Sequence, residues 1–178
     1  MANAGPTIHA SAVLVGAHAV LIRGPAGSGK SRLALSLIQA ADRRPLIFAR
    51  LVADDRVHVQ AAHGRLIARP PPALAGLLEV RGLGIRRLPH EAMAVVSWVV
   101  DLAAATAERL PDGAATQATI EGISLPRLAV AAGRDGFPMV LAALTSIPLS
   151  ATASPDDATP SGYAVQPHAL ARGRAGPA

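Results

Sequence analysis

Short apolar runs, separated by glycine, proline and charged residues, recur along most of this 178-residue chain. The runs at 12–15 and 20–23 flank a glycine-led break, a pattern that predicts an antiparallel hairpin. Apolar positions at helical spacing follow at 33–38 and predict an amphipathic helix. A second hairpin is predicted over 57–69, and the run at 94–100 is the most apolar strand.

The remaining apolar runs add one or two strands at 123–131 and a short helix at 139–146. Many short strands with only two convincing helices indicate a mixed sheet that includes antiparallel ladders. Beyond about residue 149 periodicity disappears, and Ser, Thr, Pro, Ala and Gly dominate. We therefore predict one globular domain over 1–148 and a disordered low-complexity tail over 149–178.

The junction between the first hairpin and the first helix carries a P-loop pattern. The motif reads Gly24-Pro25-Ala26-Gly27-Ser28-Gly29-Lys30-Ser31. Its glycines allow a tight turn that brings backbone N–H groups close to phosphate oxygens. Lys30 would reach the β- and γ-phosphates, and Ser31 offers a hydroxyl to Mg²⁺. The predicted fold class is therefore α/β, with a P-loop nucleotide-binding core on a mixed, partly antiparallel sheet.

The basic residues sharpen this interpretation, because 16 of the 17 are arginine and the single lysine is Lys30. A P-loop needs a compact, flexible point charge at this position rather than a planar guanidinium. The formal net charge is +5, but the arginines are scattered and only four residues are aromatic, so we expect no nucleic acid partner. The chain has no cysteine, no apparent signal peptide and no apolar run of membrane-spanning length, which favours a cytoplasmic protein.

Acidic residues follow two of the apolar strands. Asp54 and Asp55 come directly after the run at 51–53, where a P-loop site needs a carboxylate for Mg²⁺ and a base for the nucleophile. Adjacent residues of an extended strand face opposite ways, so we expect the two acids to do different jobs. Asp101 ends the strand at 94–100 and competes for the metal role.

The order of four motifs resembles the catalytic domain of HPr kinase/phosphorylase. They are Ile8-His9-Ala10, the P-loop, Leu51-Val52-Ala53-Asp54-Asp55-Arg56-Val57 and Leu78-Glu79-Val80-Arg81-Gly82-Leu83-Gly84-Ile85. The last of these is the distinctive signature, and the resemblance covers about residues 7–146. The form that it resembles is the short proteobacterial one, which lacks the N-terminal domain. Arg32 stands where the family commonly has an acid.

The resemblance implies an ATP- and Mg²⁺-dependent enzyme that phosphorylates a serine of the phosphocarrier protein HPr. It further implies removal of that phosphate by inorganic phosphate, and a homo-oligomer, the family's hexamer. The implied active-site residues are His9, Lys30, Asp55 and Arg109, with Ser31 and Glu79 as Mg²⁺ contacts. We count Asp54 among the metal candidates. The signature spans about 78–87, and the segment tied to dephosphorylation falls on 129–134.

Two other functions fit a P-loop. A small-molecule kinase would use a metabolite as acceptor, although the hairpin before the loop is unlike the parallel sheets usual in that class. A non-catalytic regulator that senses nucleotide would need Lys30 but would tolerate the loss of Asp55.

Overall fold

The computed structural model describes residues 6–42, 48–109 and 112–146. Within this part the chain forms eleven strands and two α-helices. In chain order they are β1 (Thr7–Ile8), β2 (Ala10–Val15), β3 (His18–Arg23), α1 (Lys30–Asp42), β4 (Ala49–Ala53), β5 (Val57–Ala62), β6 (Arg65–Arg69), β7 (Leu77–Val80), β8 (Gly84–Arg87), β9 (Ala94–Leu102), β10 (Gln117–Ile120), β11 (Ile123–Val130) and α2 (Phe137–Thr145). The predicted tail at 149–178 lies outside the described residues.

Nine of these strands form one mixed sheet, with the order β1-β5-β6-β9-β3-β2-β4, with β11 joined to β9 and with β10 joined to β11. The central strand β9 pairs in parallel with β3 and with β11, and antiparallel with β6. Both predicted hairpins are present, as β2–β3 and as β5–β6. The predicted fold class is confirmed: an α/β fold on a mixed sheet.

The two faces of the sheet bury separate hydrophobic clusters, because alternate residues of a strand point to opposite sides. Along β3, Val20 and Ile22 pack with Leu37 of α1, whereas Leu21 belongs to the cluster on the other face. The described core consists chiefly of Ala, Val and Leu. Helix α1 thus packs against the face of β3 that carries Val20 and Ile22.

Strands β7 and β8 form a separate two-stranded antiparallel hairpin that carries the signature segment. The turn between them is held by a hydrogen bond from the Leu83 N–H to the Val80 carbonyl, 2.9 Å long. Leu83 and Ile85 are large apolar residues, yet they are 61% and 65% exposed. The hairpin therefore presents apolar side chains to solvent.

Two details of the sheet differ from the sequence prediction. Strand β10, which the sequence prediction lacked, precedes the single strand formed by the run at 123–131 and is its antiparallel partner. Strand β4 ends at Ala53, so the acids that follow lie in a turn and not on an extended strand.

Candidate active site

The P-loop occupies residues 24–29, between the end of β3 and the start of α1. Gly24 has a φ of 149°, and a Cβ there would lie 2.7 Å from the Ser28 Oγ and 2.8 Å from the Leu102 carbonyl oxygen. Gly27 and Gly29 also have positive φ, at 76° and 95°. Only glycine fits the close approach at position 24, so the loop conformation follows directly from the motif.

Lys30 begins α1, and its side chain folds back over the loop. Its ammonium donates hydrogen bonds to the carbonyl oxygens of Gly24 and Pro25, each 3.0 Å long. Burial lowers the pKa of Lys30 below its usual range, while the nearby charges of Asp54 and Asp55 oppose this effect. The single lysine is thus a largely buried cation beside two carboxylates.

Asp54 is 4% exposed and accepts hydrogen bonds from three sides. The Ser31 hydroxyl donates to Oδ1 over 2.9 Å, and the Ser11 hydroxyl donates to the same oxygen over 2.5 Å. The Glu79 backbone N–H donates to Oδ2 over 3.3 Å. Asp54 therefore connects the first turn of α1 with β2 and with the signature hairpin.

Asp55 points away from this buried network, and its side chain is 67% exposed. Its φ is 63°, and the Arg56 N–H donates to the Asp54 carbonyl over 2.7 Å, which closes a tight turn around Asp55. The two acids do face different surroundings, as predicted. The cause is this turn, however, and not the alternation of side chains along an extended strand. A left-handed backbone at a residue other than glycine is a strained conformation that is frequent at functional sites.

His9 lies between β1 and β2, next to the pairing of Ile8 with Val57, and approaches Asp55. Its Nε2 atom is 3.5 Å from Asp55 Oδ1. The two residues are 46 positions apart in the sequence, and the fold of the sheet brings them together.

A cleft of about 840 Å³ brings most of the predicted site residues together. Its lining includes His9, Lys30, Ser31, Asp54, Asp55 and Glu79, together with the P-loop residues 26–29. This volume lies within the ~300–1,000 Å³ that is typical of small-ligand sites. Arginines 32, 81 and 134 also line the cleft. The sequence placed Arg81 within the signature and Arg134 within the segment tied to dephosphorylation, but predicted no individual role for any of the three.

Arg109 is the predicted active-site residue that is absent from the lining of the cleft. It is exposed, and it directly precedes the undescribed residues 110–111. Arg134, in the turn before α2, does line the cleft. The segment at 129–134 that the resemblance ties to dephosphorylation could have drawn attention to Arg134.

Asp101, the alternative metal candidate, is instead bound by two arginines. Arg23 donates to both of its carboxylate oxygens over 2.7 and 2.8 Å, and Arg127 donates to Oδ2 over 2.6 Å. Burial alone would raise the pKa of Asp101, but these hydrogen bonds and charges outweigh it and hold the pKa below its usual range. Asp101 thus ties β3, just before the P-loop, to β9 and β11.

The donors of the cleft suit Mg²⁺. Kinase sites usually hold this ion through one or two carboxylates together with substrate phosphates, rather than in an all-protein cage. Among the described residues, no group of three or more His, Cys, Asp or Glu is arranged to hold a metal. The Ser31 hydroxyl lies within hydrogen-bond distance of Asp54, and Glu79 is among the residues that line the same cleft.

The fold and the cleft define a mixed α/β protein of the P-loop class. The family model described as the HPr Serine kinase C-terminal domain matches residues 3–152, and the chain belongs to this family. The family predicted from the motifs is therefore confirmed.

Individual relatives agree with this assignment. An HPr kinase/phosphorylase of Clostridium tetani is 46% identical over 70 residues, which are 39% of this chain and 21% of that protein. One of Limosilactobacillus reuteri is 32% identical over 139 residues, which are 70% of this chain and 40% of that protein. The chain thus spans two fifths or less of the length of these curated relatives.

The fold likeness is seen in the structure of the Hpr(Ser) kinase/phosphatase from Coxiella burnetii. The match has a TM-score of 0.63 with 24% sequence identity, and it covers 79% of this chain and 88% of that chain. In the described part of the chain, no helix has the length and apolar character needed to cross a membrane.

Proposed function

We propose that this chain uses Mg-ATP to phosphorylate a serine of an HPr-type phosphocarrier protein, in the cytoplasm. The observation that carries the proposal is the position of Asp55 at the edge of the P-loop cleft. Asp55 is exposed to an incoming acceptor, whereas its neighbour Asp54 is buried against Ser31. One acid is therefore available to a substrate hydroxyl, and the other is held beside the P-loop.

Each residue has a defined part in the proposed transfer. The acceptor serine oxygen attacks the γ-phosphorus as Asp55 takes the hydroxyl proton, and the bond to the bridging oxygen breaks to release ADP. Lys30 and the loop N–H groups bind the phosphates and offset their charge. Ser31, Asp54 and Glu79 are the residues that would hold Mg²⁺, which supplies further charge compensation at the transferred group.

We further propose that the same site runs the reverse reaction with inorganic phosphate. Phosphate would attack the phosphoserine phosphorus, Asp55 would return its proton to the serine oxygen, and pyrophosphate would leave. The arginines of the cleft supply the positive charge that a second anion requires, and Arg134 belongs to the segment that the family ties to this direction.

The signature hairpin favours a protein acceptor over a small metabolite. Glu79 of β7 lines the cleft, while Leu83 and Ile85 at the far end of the same hairpin are exposed. Exposed apolar residues beside a polar rim are typical of protein interaction sites. We propose that the carrier protein contacts this surface while its serine enters the cleft.

A homo-oligomer, the family's hexamer, is part of the same proposal, and light scattering of the full chain tests it.

The direct test is to incubate the protein with Mg-ATP and purified HPr-type carriers and to locate any phosphoserine by mass spectrometry. Phosphate on one carrier serine, and its removal after addition of inorganic phosphate, would support both directions. Phosphorylation of small metabolites with no carrier modified would favour the small-molecule kinase instead.

A further inference from the structure

The buried hydroxyl of Ser11 lies outside the residues assigned so far. Ser11 is 0% exposed and is flanked in β2 by buried Ala10 and Ala12. A hydroxyl in such surroundings costs free energy unless it is hydrogen-bonded. Its partner is Asp54 Oδ1, 2.5 Å away and 43 positions further along the chain.

A β-bulge brings these two residues together. The antiparallel pairing of β2 with β4 runs from Val15↔Ala49 to Val13↔Leu51, but the next pair is Ala12↔Ala53. The extra residue in β4 shifts the register by one, so Ser11 comes to lie opposite Asp54 rather than Ala53. Bulges next to active sites commonly re-aim a side chain in this way.

Ser11 and Ser31 donate to the same oxygen of Asp54, but only Ser31 lies in the lining of the cleft. The Ser31 hydroxyl is the group that a P-loop offers to Mg²⁺, and its oxygen lone pairs can bind the ion while its proton stays hydrogen-bonded to Asp54. Ser11 lies on the buried side of the carboxylate, outside the cleft lining. The Ser11 bond can therefore hold the Asp54 carboxylate both without and with a bound metal ion.

We propose that Ser11 is a positioning residue that holds the Asp54 carboxylate toward Ser31 and so prepares the cleft for the divalent cation. This inference rests on the proposed use of Mg-ATP. It assigns to β2 a part in metal dependence, separate from the phosphate contacts of the P-loop. Ser11 itself touches neither nucleotide nor acceptor.

The experiment measures ATP binding by calorimetry with Mg²⁺ and with excess EDTA, in the wild type and in Ser11→Ala. The dissociation constant in EDTA divided by the dissociation constant with Mg²⁺ is the ratio that reports the contribution of the metal. We expect Ser11→Ala to reduce this ratio by about tenfold, a factor typical of a lost hydrogen bond to a charged group, and to leave the metal-free affinity within about twofold. Binding of Mn²⁺ followed by electron paramagnetic resonance should weaken in parallel.

Matched variants separate positioning from general destabilisation. Ser124→Ala removes a hydroxyl that donates to Gln117 on the distant β10–β11 hairpin, and it should leave the ratio unchanged. Ser11→Thr keeps a hydroxyl and should restore the ratio. In an Asp54→Asn background Ser11→Ala should have no further effect on the ratio, because the carboxylate charge that Ser11 positions for the cation is already absent. Should Ser11→Ala fail to fold, Ser11→Cys provides the same comparison with a much weaker donor.

The outcomes distinguish this inference from the function on which it rests. A wild type without Mg²⁺-dependent ATP binding would overturn both. A normal wild-type ratio that persists in Ser11→Ala, even with a lower melting temperature, would overturn the positioning role alone. The predicted drop in the ratio, abolished by Asp54→Asn, would establish it.

Discussion

His9 Nε2 lies 3.5 Å from Asp55 Oδ1, so the junction of β1 and β2 meets the turn that follows β4. Asp55 is otherwise exposed, and this imidazole lies close enough to orient its carboxylate at the cleft entrance. We therefore expect the proposed base to depend on His9 for its orientation, separately from the buried network around Asp54.

Replacing His9 with Gln should lower the rate of phosphate transfer by about tenfold, because a loosely held base is less often aligned with the acceptor hydroxyl. The affinity for nucleotide should stay within about twofold, since the P-loop is untouched. Initial rates on a carrier protein and calorimetry with Mg-ATP measure the two effects. His63→Asn, at an exposed turn between β5 and β6, is the control, and equal rates for both variants would refute the role given to His9.

Replacing Lys30 with Arg should weaken Mg-ATP binding by about a hundredfold or more. The ammonium fits within 3.0 Å of two loop carbonyls in a buried position, whereas a planar guanidinium is wider and cannot turn into the same space. Calorimetry measures the change, and circular dichroism checks that the variant is folded. Arg65→Lys, at an exposed position in β6 outside the cleft lining, should bind within about threefold of the wild type. Tight binding by Lys30→Arg would argue against a phosphate site at this loop.

Replacing Asp101 with Asn should lower the free energy of unfolding at pH 7 by about 1–3 kcal/mol, because Arg23 and Arg127 lose their charged partner. The folded-state pKa of Asp101 is depressed, so its stabilisation is present above the unfolded value of ~3.9 and is lost as the pH falls through the folded pKa. The two proteins should therefore converge in stability in acid.

Urea unfolding between neutral and acidic pH measures this convergence. Glu91→Gln removes the exposed ion pair with Arg50 and should change the free energy by less than about 1 kcal/mol. A difference for Asp101→Asn that stays constant into acid would contradict the ionic explanation.

Replacing Leu83 and Ile85 together with Ser should raise the KM for the carrier protein by about tenfold or more. Both side chains are exposed on the signature hairpin, so their loss costs binding surface but little folding free energy. Nucleotide affinity should not change. Met93→Ser removes another exposed apolar side chain, 53% accessible, and should leave the KM unaltered. A similar KM in both variants would exclude the hairpin as the docking surface.

Much of the fold could be predicted because its signals are local. The glycine-led break at 16–18 and the apolar runs on each side specify the β2–β3 hairpin without reference to the rest of the chain. The P-loop is equally local, since Gly24 tolerates no Cβ and Lys30 has no competing lysine. These features needed only neighbouring residues.

The parts that were missed depend on distant pairing. The bulge that sets Ser11 opposite Asp54 arises where β2 meets β4, and the left-handed turn at Asp55 follows from the end of that pairing. Strand β10 is short and half exposed, so its weak pattern becomes a strand only beside β11. None of these three features has a signal within a single window of sequence.

The most direct measurement compares the wild type with Asp55→Asn in phosphate transfer from Mg-ATP to an HPr-type carrier, with ATP affinity determined in parallel. Removing the proposed base should reduce transfer by at least about a hundredfold while ATP binding stays within about threefold. Transfer that persists in Asp55→Asn, with the same serine modified, would contradict the account.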